Sequence, residues 1–372
     1  MSTINGRLLR INLNDSSSRE ESIPPQTIKH FISARGLGSK YLYDELAPAV
    51  DPLSHKNKLL LLVGVLAGTG LQGFSKWAVM SKSPLTGTIF RSISGGNFGV
   101  WMKNAGYDLI IVEGRARAPI YIHIDVEGVH FLAADDLWGL DYRRLQAQLK
   151  KRHGPRTESA CIGPAGEKRV RYAVIHSGER TASRGGMGTV MGSKNLKALS
   201  INAPIKRPTA FDPSTFKKLL TMQIDILKKH PRKKTMASLG TPYITTIVNN
   251  LGILPTKNYC EGSIATIEEI SGDRFFELKK ARAGCYACMT RCGGMRNVSR
   301  GPFDGSQIDG PEYETIFAFG PLLGLTDRQF IIDANALCDA LGIDTISTGV
   351  CIAFACELYT KGMISTADTD GL

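Results

Sequence analysis

The apolar and polar positions follow two different rhythms, and the change between them falls near residue 205. Before it, short apolar runs alternate with glycine-dense turns. The runs "LLLLVGV" (59–65), "YDLIIVEG" (107–114), "RYAVIHSG" (171–178) and "NLKALSIN" (195–202) have the length and aliphatic content of strands. In "PIYIHIDVEGVHFL" (119–132), Ile120, Ile122 and Ile124 alternate with Tyr121, His123 and Asp125 before a turn at Glu127-Gly128. That period of two predicts a half-buried hairpin. The turns "SPLTG", "SGGNFG" and "SRGGMGTVMGSK" separate these runs.

After Pro204 and Pro208 the spacing becomes helical. "FDPSTFKKLLTMQIDILKK" (211–229) opens with Asp212 at the N-cap and Pro213 at the first helical position. Thr266 with Glu269, and Thr326 with Gln329, have capping-box spacing at the heads of two further helices. The pattern predicts an α+β protein: a β-rich domain over 1–207, followed by a mostly α-helical domain over 208–372.

With 42% hydrophobic and 22% charged residues the chain has the balance of a globular protein. Its longest apolar run, "LLLLVGVLAG", is about half of the roughly 18 residues that a membrane span requires. The opening "MSTINGRLLRINLND" has no apolar signal segment, so a cytoplasmic protein is expected. The net charge of +12 favours an anionic cofactor or an acidic protein partner. The run "KKHPRKK" (228–234) fits a solvated helix end or a docking face for an acidic redox carrier. Nucleic acid is not expected, because no reader motif or basic-aromatic interleaving accompanies the charge.

The candidate chemistry centres on "CYACMTRC", where Cys285, Cys288 and Cys292 have C-x2-C-x3-C spacing. In a reducing compartment such a group holds a metal or cluster more readily than a disulfide. Gly284, Gly293 and Gly294 let the backbone wrap around it. Iron-sulfur leads; zinc, for which no second C-x2-C or His pair follows, and plain redox or core thiols stay open. Cys260, Cys338, Cys351 and Cys356 are fourth ligands by composition only, and the last two, in "GVCIAFACELY", have the setting of buried core cysteines. "GTVMGSK" is not a Walker loop, since Ser193 precedes Lys194, and "SISGGNFG" is no dinucleotide fingerprint. Both offer exposed backbone N–H groups beside Arg91, Arg184 and Lys194, suited to an anionic, hydrogen-bonding cofactor.

In order along the chain, "GRLLRINL", "SKSPLTG", "SGGNFG", "AGYDLIIVEGRA", "GPAGEKRVRYAVI", "RGGMGTVMGSKNLKAL", "CYACMTRC", "GPEYET" and "DALGIDTISTG" resemble the aldehyde ferredoxin oxidoreductases, the tungsten bis-pterin enzymes. The resemblance implies two β-sheets cradling a tungsten (or molybdenum) bis-pterin, helical domains after them, and a [4Fe-4S] cluster. It implies oxidation of a small aldehyde to the acid, with electrons leaving through the cluster to ferredoxin. The tungsten subunit of an aromatic acyl-CoA reductase shares the fold and is the alternative, as is a non-catalytic paralogue. A homodimer, or an additional electron-transfer subunit, is a possible assembly.

By resemblance, Cys285, Cys288 and Cys292 are the first three cluster ligands. Asp339, Leu341, Gly342 and Asp344 match a D-x-x-G-L-D pterin motif, whose carboxylates accept from pterin N–H donors. Glu314 of "PEYE" matches the acidic residue beside the metal, a general acid or base if burial raises its pKa; its other reading, with Glu312, is a first-turn helix acid. Gly95 and Gly96 match the pterin-contacting turn, and Ala182, Ser183, Arg184 and Gly185 match a segment whose carbonyl helps to hold Mg2+ between the pterin phosphates. Ile93 stands where the family has Asn, and Lys76 where it has Arg, which keeps the charge but loses the planar fork. A family iron site at E-x-x-H falls on Asp333 and Ala336, so no such iron is expected. The family pattern continues beyond "TADTDGL" with a second pterin motif and a fourth cluster cysteine. The resemblance therefore implies an N-terminal portion, with the fourth ligand beyond Leu372.

Overall fold

The computed structural model describes residues 3–206 and 208–371. They pack as two bodies: residues up to Lys228 with Cys285–Met289 and Asp339–Ile343, and the remaining Lys229–Gly284, Thr290–Cys338 and the stretch from Asp344 on.

The first body holds two six-stranded sheets. One is built from β1 (Arg7–Asn12), β2 (Ser17–Ser22), β3 (Leu59–Val63), β4 (Trp77–Lys82), β5 (Ile89–Ser94) and β6 (Leu109–Glu113), in the order β2-β1-β6-β3-β4-β5. The other has β7 (Ile120–Ile124), β8 (Val129–Ala133), β9 (Glu158–Cys161), β10 (Ile175–Ser177), β11 (Arg180–Ala182) and β12 (Leu196–Ile201), in the order β11-β10-β9-β12-β7-β8. β1 runs parallel to β6 and β7 parallel to β12, and the other pairs are antiparallel.

The apolar run of β3 is continuous because both of its faces are buried. Leu59, Leu61 and Val63 join the core shared with Ile122, Ile175 and Leu199 of the other sheet. Leu60 and Leu62 point the other way, under Leu37 and Leu42 of the helix Arg35–Glu45. Each such leucine contributes about 1.5–3 kcal/mol of burial. One edge of each sheet, β5 and β11, lie against each other, and Ser83 Oγ donates to Gly185 O at 2.7 Å beside that junction.

The hairpin at 119–132 forms, closing through Asp125 N to Gly128 O at 3.1 Å; β8 is partly buried, but β7 is buried on both faces rather than on the one that the alternation predicts. Tyr121 and His123 are buried too, because the helix Tyr142–His153 covers that face and His153 stacks on His123 at 3.7 Å. Of "RYAVIHSG" only Ile175–Ser177 is strand.

The second body is mostly helical, with Arg232–Leu239, Ile244–Asn250, Gly272–Glu277, Tyr313–Phe319, Arg328–Leu341 up to Cys338, and Thr345–Thr360. It also carries an antiparallel sheet, β13 (Ala281–Ala283), β14 (Gly293–Asn297) and β15 (Gln307–Asp309), whose short, glycine-rich or charged strands give no periodic signal. Asp212 caps Pro213–Lys229 as expected, accepting from Ser214 N and Thr215 N, each at 3.0 Å. The other two caps differ. Thr266 makes no side-chain cap and heads a 3-10 turn, and Asp327 rather than Thr326 caps the helix Arg328–Leu341, accepting from Gln329 N and Phe330 N at 2.9 and 3.1 Å. Asp327 is one position closer to the first free N–H groups, and a carboxylate is the stronger acceptor there.

Candidate cofactor and cluster site

The candidate residues of the first body gather around the turn that leaves edge strand β5. Gly95 carries no Cβ where one would stand 2.5 Å from Cys285 Sγ, so the cysteine packs directly on the glycine backbone. Gly96 holds φ +79, and its carbonyl accepts from Tyr286 N at 3.4 Å. Trp77 Nε1 donates to Gly95 O at 3.0 Å, Tyr286 meets Trp101 edge-on at 6.5 Å, and Met289 N donates to Gln72 Oε1 at 2.7 Å. Segment Cys285–Met289 is thereby held by the turn at one end and by Gln72 at the other, and Cys288 N closes back on Cys285 O at 3.2 Å.

Two buried hydroxyls flank this turn, Ser94 Oγ before it and Ser177 Oγ against Gly96, and neither has a hydrogen-bond partner among the described residues. Buried hydroxyls are rarely left so in native proteins. A cofactor rich in N–H donors and acceptors, bound at the turn, is the kind of group that satisfies them. The residues present therefore fit a pterin-like group. Ile93 is 41% exposed on the same strand, and Lys76 is exposed nearby in sequence to β4.

A second arm reaches this body through Asp339–Ile343. Val174 N donates to Gly342 O at 2.9 Å and Ala173 bridges Ile343. Gly342 (φ +77) and Gly163 approach so closely that a Cβ on Gly342 would stand 3.0 Å from Gly163 Cα. Leu341, 39% exposed, ends its helix here. Asp339 lies in a polar cluster that sequence reasoning missed. Tyr142 OH donates to Glu179 Oε2 at 2.9 Å and accepts from Arg143 Nε at 2.8 Å, and Arg143 reaches Glu179 at 2.9 Å. Burial, with the charges of Asp339 and Glu179, pushes the Tyr142 phenol well above its usual range. Tyr142 lies flat on His176 at 4.3 Å, and burial drives the imidazole down to about 3, so it is neutral near pH 7. "DYRR" and "HSGER" offered only a tyrosine and a glutamate in polar surroundings, with no spacing to mark them.

At 182–185, Ala182 pairs with Ile175, Ser183 Oγ meets Thr181 Oγ1 at 2.5 Å, Arg184 is exposed, and Gly185 gives its carbonyl to Ser83. Lys194 is not an anion ligand. It is fully buried and donates to Asn57 O at 2.5 Å and Gly114 O at 2.9 Å, because a buried ammonium needs acceptors on every side.

The other candidates lie in the second body. Cys292 lies within electrostatic reach of Lys279, which donates to Ala237 O and Ser238 O at 3.2 and 3.0 Å. Glu314 is exposed in the first turn of Tyr313–Phe319, so the burial expected to raise its pKa is absent in this structure. Its neighbour Glu312 accepts from Thr241 Oγ1. Asp344 caps the helix Thr345–Thr360, accepting from Ser347 N at 2.9 Å and Ser347 Oγ at 2.5 Å. Cys351 and Cys356 are exposed rather than buried, because the helix Thr345–Thr360 covers only Gly349 and Ala353 fully. No helix of the described residues is long and apolar enough to cross a membrane.

The family model described as aldehyde ferredoxin oxidoreductase, N-terminal domain, matches residues 8–203, and the one for domains 2 and 3 matches 218–372. A tungsten-containing aldehyde ferredoxin oxidoreductase of Pyrococcus furiosus is 40% identical over 96% of this chain and 59% of its own length. The WOR-like subunit of an aliphatic sulfonate oxidoreductase of the same organism is 33% identical over 99% of this chain and 61% of its own. Among solved structures, the active-site complex BamBC of benzoyl coenzyme A reductase with 1,5-dienoyl-CoA superposes with TM-score 0.86 at 26% identity, covering 100% of this chain and 58% of that one. The chain spans about three-fifths of the length of the curated relatives it matches.

Proposed function

Because the chain belongs to the aldehyde ferredoxin oxidoreductase family, we propose that it carries the pterin- and cluster-binding part of a tungsten-containing enzyme that oxidises an aldehyde to a carboxylic acid. In this reading the electrons leave through a [4Fe-4S] cluster to ferredoxin or a similar acidic carrier. The observation that supports it most directly is Cys285 Sγ seated on Gly95, with Ser94 and Ser177 open-handed beside it. When bound, the tungsten (or molybdenum) bis-pterin supplies the two-electron acceptor, and the cluster supplies one-electron steps.

The chain's own residues hold and orient. Cys285, Cys288 and Cys292 are the proposed cluster ligands, as thiolates. Gly95 and Gly96 give backbone access, and Ser94 and Ser177 offer hydroxyls to one pterin. Asp339 and Asp344 offer carboxylates and Leu341-Gly342 the close-packed turn, with Tyr142, Arg143 and Glu179 fixing the polarity around Asp339. Ala182, Ser183, Arg184 and Gly185 are proposed to line the Mg2+ and phosphates, while Lys76 keeps a positive charge in the region and Ile93 offers only its carbonyl. Glu314 is the proposed carboxylate for proton transfer with substrate, a role that needs it desolvated.

The likeness to the benzoyl coenzyme A reductase structure supports a second reading, the tungsten subunit of an aromatic acyl-CoA reductase, which needs additional electron-transfer subunits. Anaerobic preparations from tungstate-supplied cells, assayed for reduction of a viologen dye, separate the two. The first reading expects dye reduction dependent on a simple aldehyde. Turnover confined to an acyl-CoA would replace it with the second.

A further inference from the structure

A second cluster of ligating side chains lies away from the cofactor turn, on the β7–β8 hairpin. Ligand atoms of Asp125, Glu127 and His130 all fall within 4.8 Å of one another. His130 Nε2 stands 3.0 Å from Asp125 Oδ1, and His123 Nε2 stands 3.6 Å from Asp125 Oδ2. The His130 contact is of hydrogen-bond length without an ion, and is close to the edge of about 3.3 Å in a tetrahedral site with bonds near 2.0–2.1 Å.

The tautomer of His123 sharpens the point. Ser200 Oγ contacts both His123 Nδ1, at 2.9 Å, and Ile122 O, at 3.2 Å. With the hydroxyl donating to Ile122 O, a carbonyl that only accepts, it accepts from Nδ1–H. Nε2 is then left bare, and its lone pair faces a carboxylate oxygen across 3.6 Å. Two acceptors facing each other, one on a side chain only 3% exposed, call for a cation between them.

The surroundings hold this arrangement in place. Glu127 N and Gly128 N fix Asp125 Oδ1 at 2.9 and 3.2 Å, and His153 stacks on the His123 ring while its own Nε2 meets Tyr121 OH at 3.0 Å. The nearby cation Arg152 is drawn off by Asp136. A metal-ligating imidazole is commonly held by an oxygen partner on its other nitrogen, the place that Ser200 Oγ takes on His123 Nδ1.

We propose that the β7–β8 hairpin binds one divalent transition-metal ion of the zinc class through Asp125, Glu127 and His130, whose ligand atoms converge, with His123 Nε2 as a further donor beside Asp125 Oδ2, separate from any pterin or cluster metal. The mixed imidazole and carboxylate set favours zinc, nickel or cobalt over magnesium or calcium. Bound there, the ion ties the end of β7 and the turn to β8.

Cobalt(II) added to the chelator-treated full chain tests this, because thiols of the cysteine motif announce themselves by an ultraviolet charge-transfer band that imidazole and carboxylate lack. Expected is one equivalent with visible tetrahedral bands and no matching thiolate band, which competes with zinc. His130→Ala and Glu127→Gln, both at partly or fully exposed positions, are expected to weaken that equivalent about tenfold or more while melting like the parent without metal. Zinc is expected to raise the melting temperature of the parent and not of His130→Ala. Unchanged cobalt binding in the double variant, or cobalt spectra of the thiolate type alone, would overturn the proposal.

Discussion

At the scale of single residues, the site depends on contacts that tolerate little change. Gly95 has no positive φ, so alanine there is resisted only by Cys285 Sγ, 2.5 Å from the new methyl. Gly95→Ala is expected to cost about 1–3 kcal/mol locally and to lower iron incorporation several-fold, read by iron analysis beside far-ultraviolet circular dichroism that shows the fold intact. His176 gives a pH prediction. Burial, aided by Lys197 and Arg143 and opposed by the Asp339 backbone, puts its folded pKa at about 3, below the ordinary 6.5. Between those values the unfolded chain binds a proton that the folded chain refuses, so this group's stability contribution is whole above pH 6.5 and is lost as pH falls toward 3. The slope contributed is up to about 1.4 kcal/mol per pH unit. Urea unfolding across this range is expected to show a shallower acid loss for His176→Phe, which keeps a ring on Tyr142; an unchanged slope would contradict the assignment. The cysteines, by their spacing, and the glycines and Asp339, by resemblance, were legible in the sequence as candidates. Tyr142, Glu179 and Ser177 were not, since their roles arise only when β10, β11 and the helix Tyr142–His153 pack together.

At the scale of elements, periodicity was a good guide where a strand is a nearly continuous apolar run, as in β3 and β6. It failed where tertiary cover decides burial. β7 alternates in sequence, yet both faces are buried because a helix lies over the polar one. Caps were legible only to within a residue, and Asp327 rather than Thr326 is the one that acts. Asp327→Ala is expected to cost about 1 kcal/mol in urea unfolding, whereas Thr326→Ala is expected to change little. Lys194 enters β12 and joins it to Asn57 and Gly114, which flank β3 and β6. Lys194→Met strands two buried carbonyls, and a loss of about 3 kcal/mol is expected from charged hydrogen bonds of this kind. A sequence reader weighing Lys194 as an anion ligand has no way to see those carbonyls, which come from distant parts of the chain.

At the scale of the whole molecule, the two-sheet body and the helical body correspond to the α+β organisation that the sequence pattern predicts, and the bodies are threaded rather than simply consecutive. Cys285–Met289 and Asp339–Ile343 return to the first body from within the second stretch of chain. Such returns carry no local sequence signal; they follow from long-range contacts such as Val174 N with Gly342 O and Tyr286 N with Gly96 O. The two returning segments carry Cys285, Cys288 and Asp339 to the first body. We therefore expect this chain to bind both a cluster and a tungsten or molybdenum pterin. The most direct measurement is elemental analysis of the protein purified without oxygen from tungstate-supplied cells, beside its Cys285→Ser variant. About four irons per chain together with tungsten or molybdenum are expected in the parent protein, and loss of most of the iron in the variant. Iron near zero and no tungsten or molybdenum in the parent protein would contradict it.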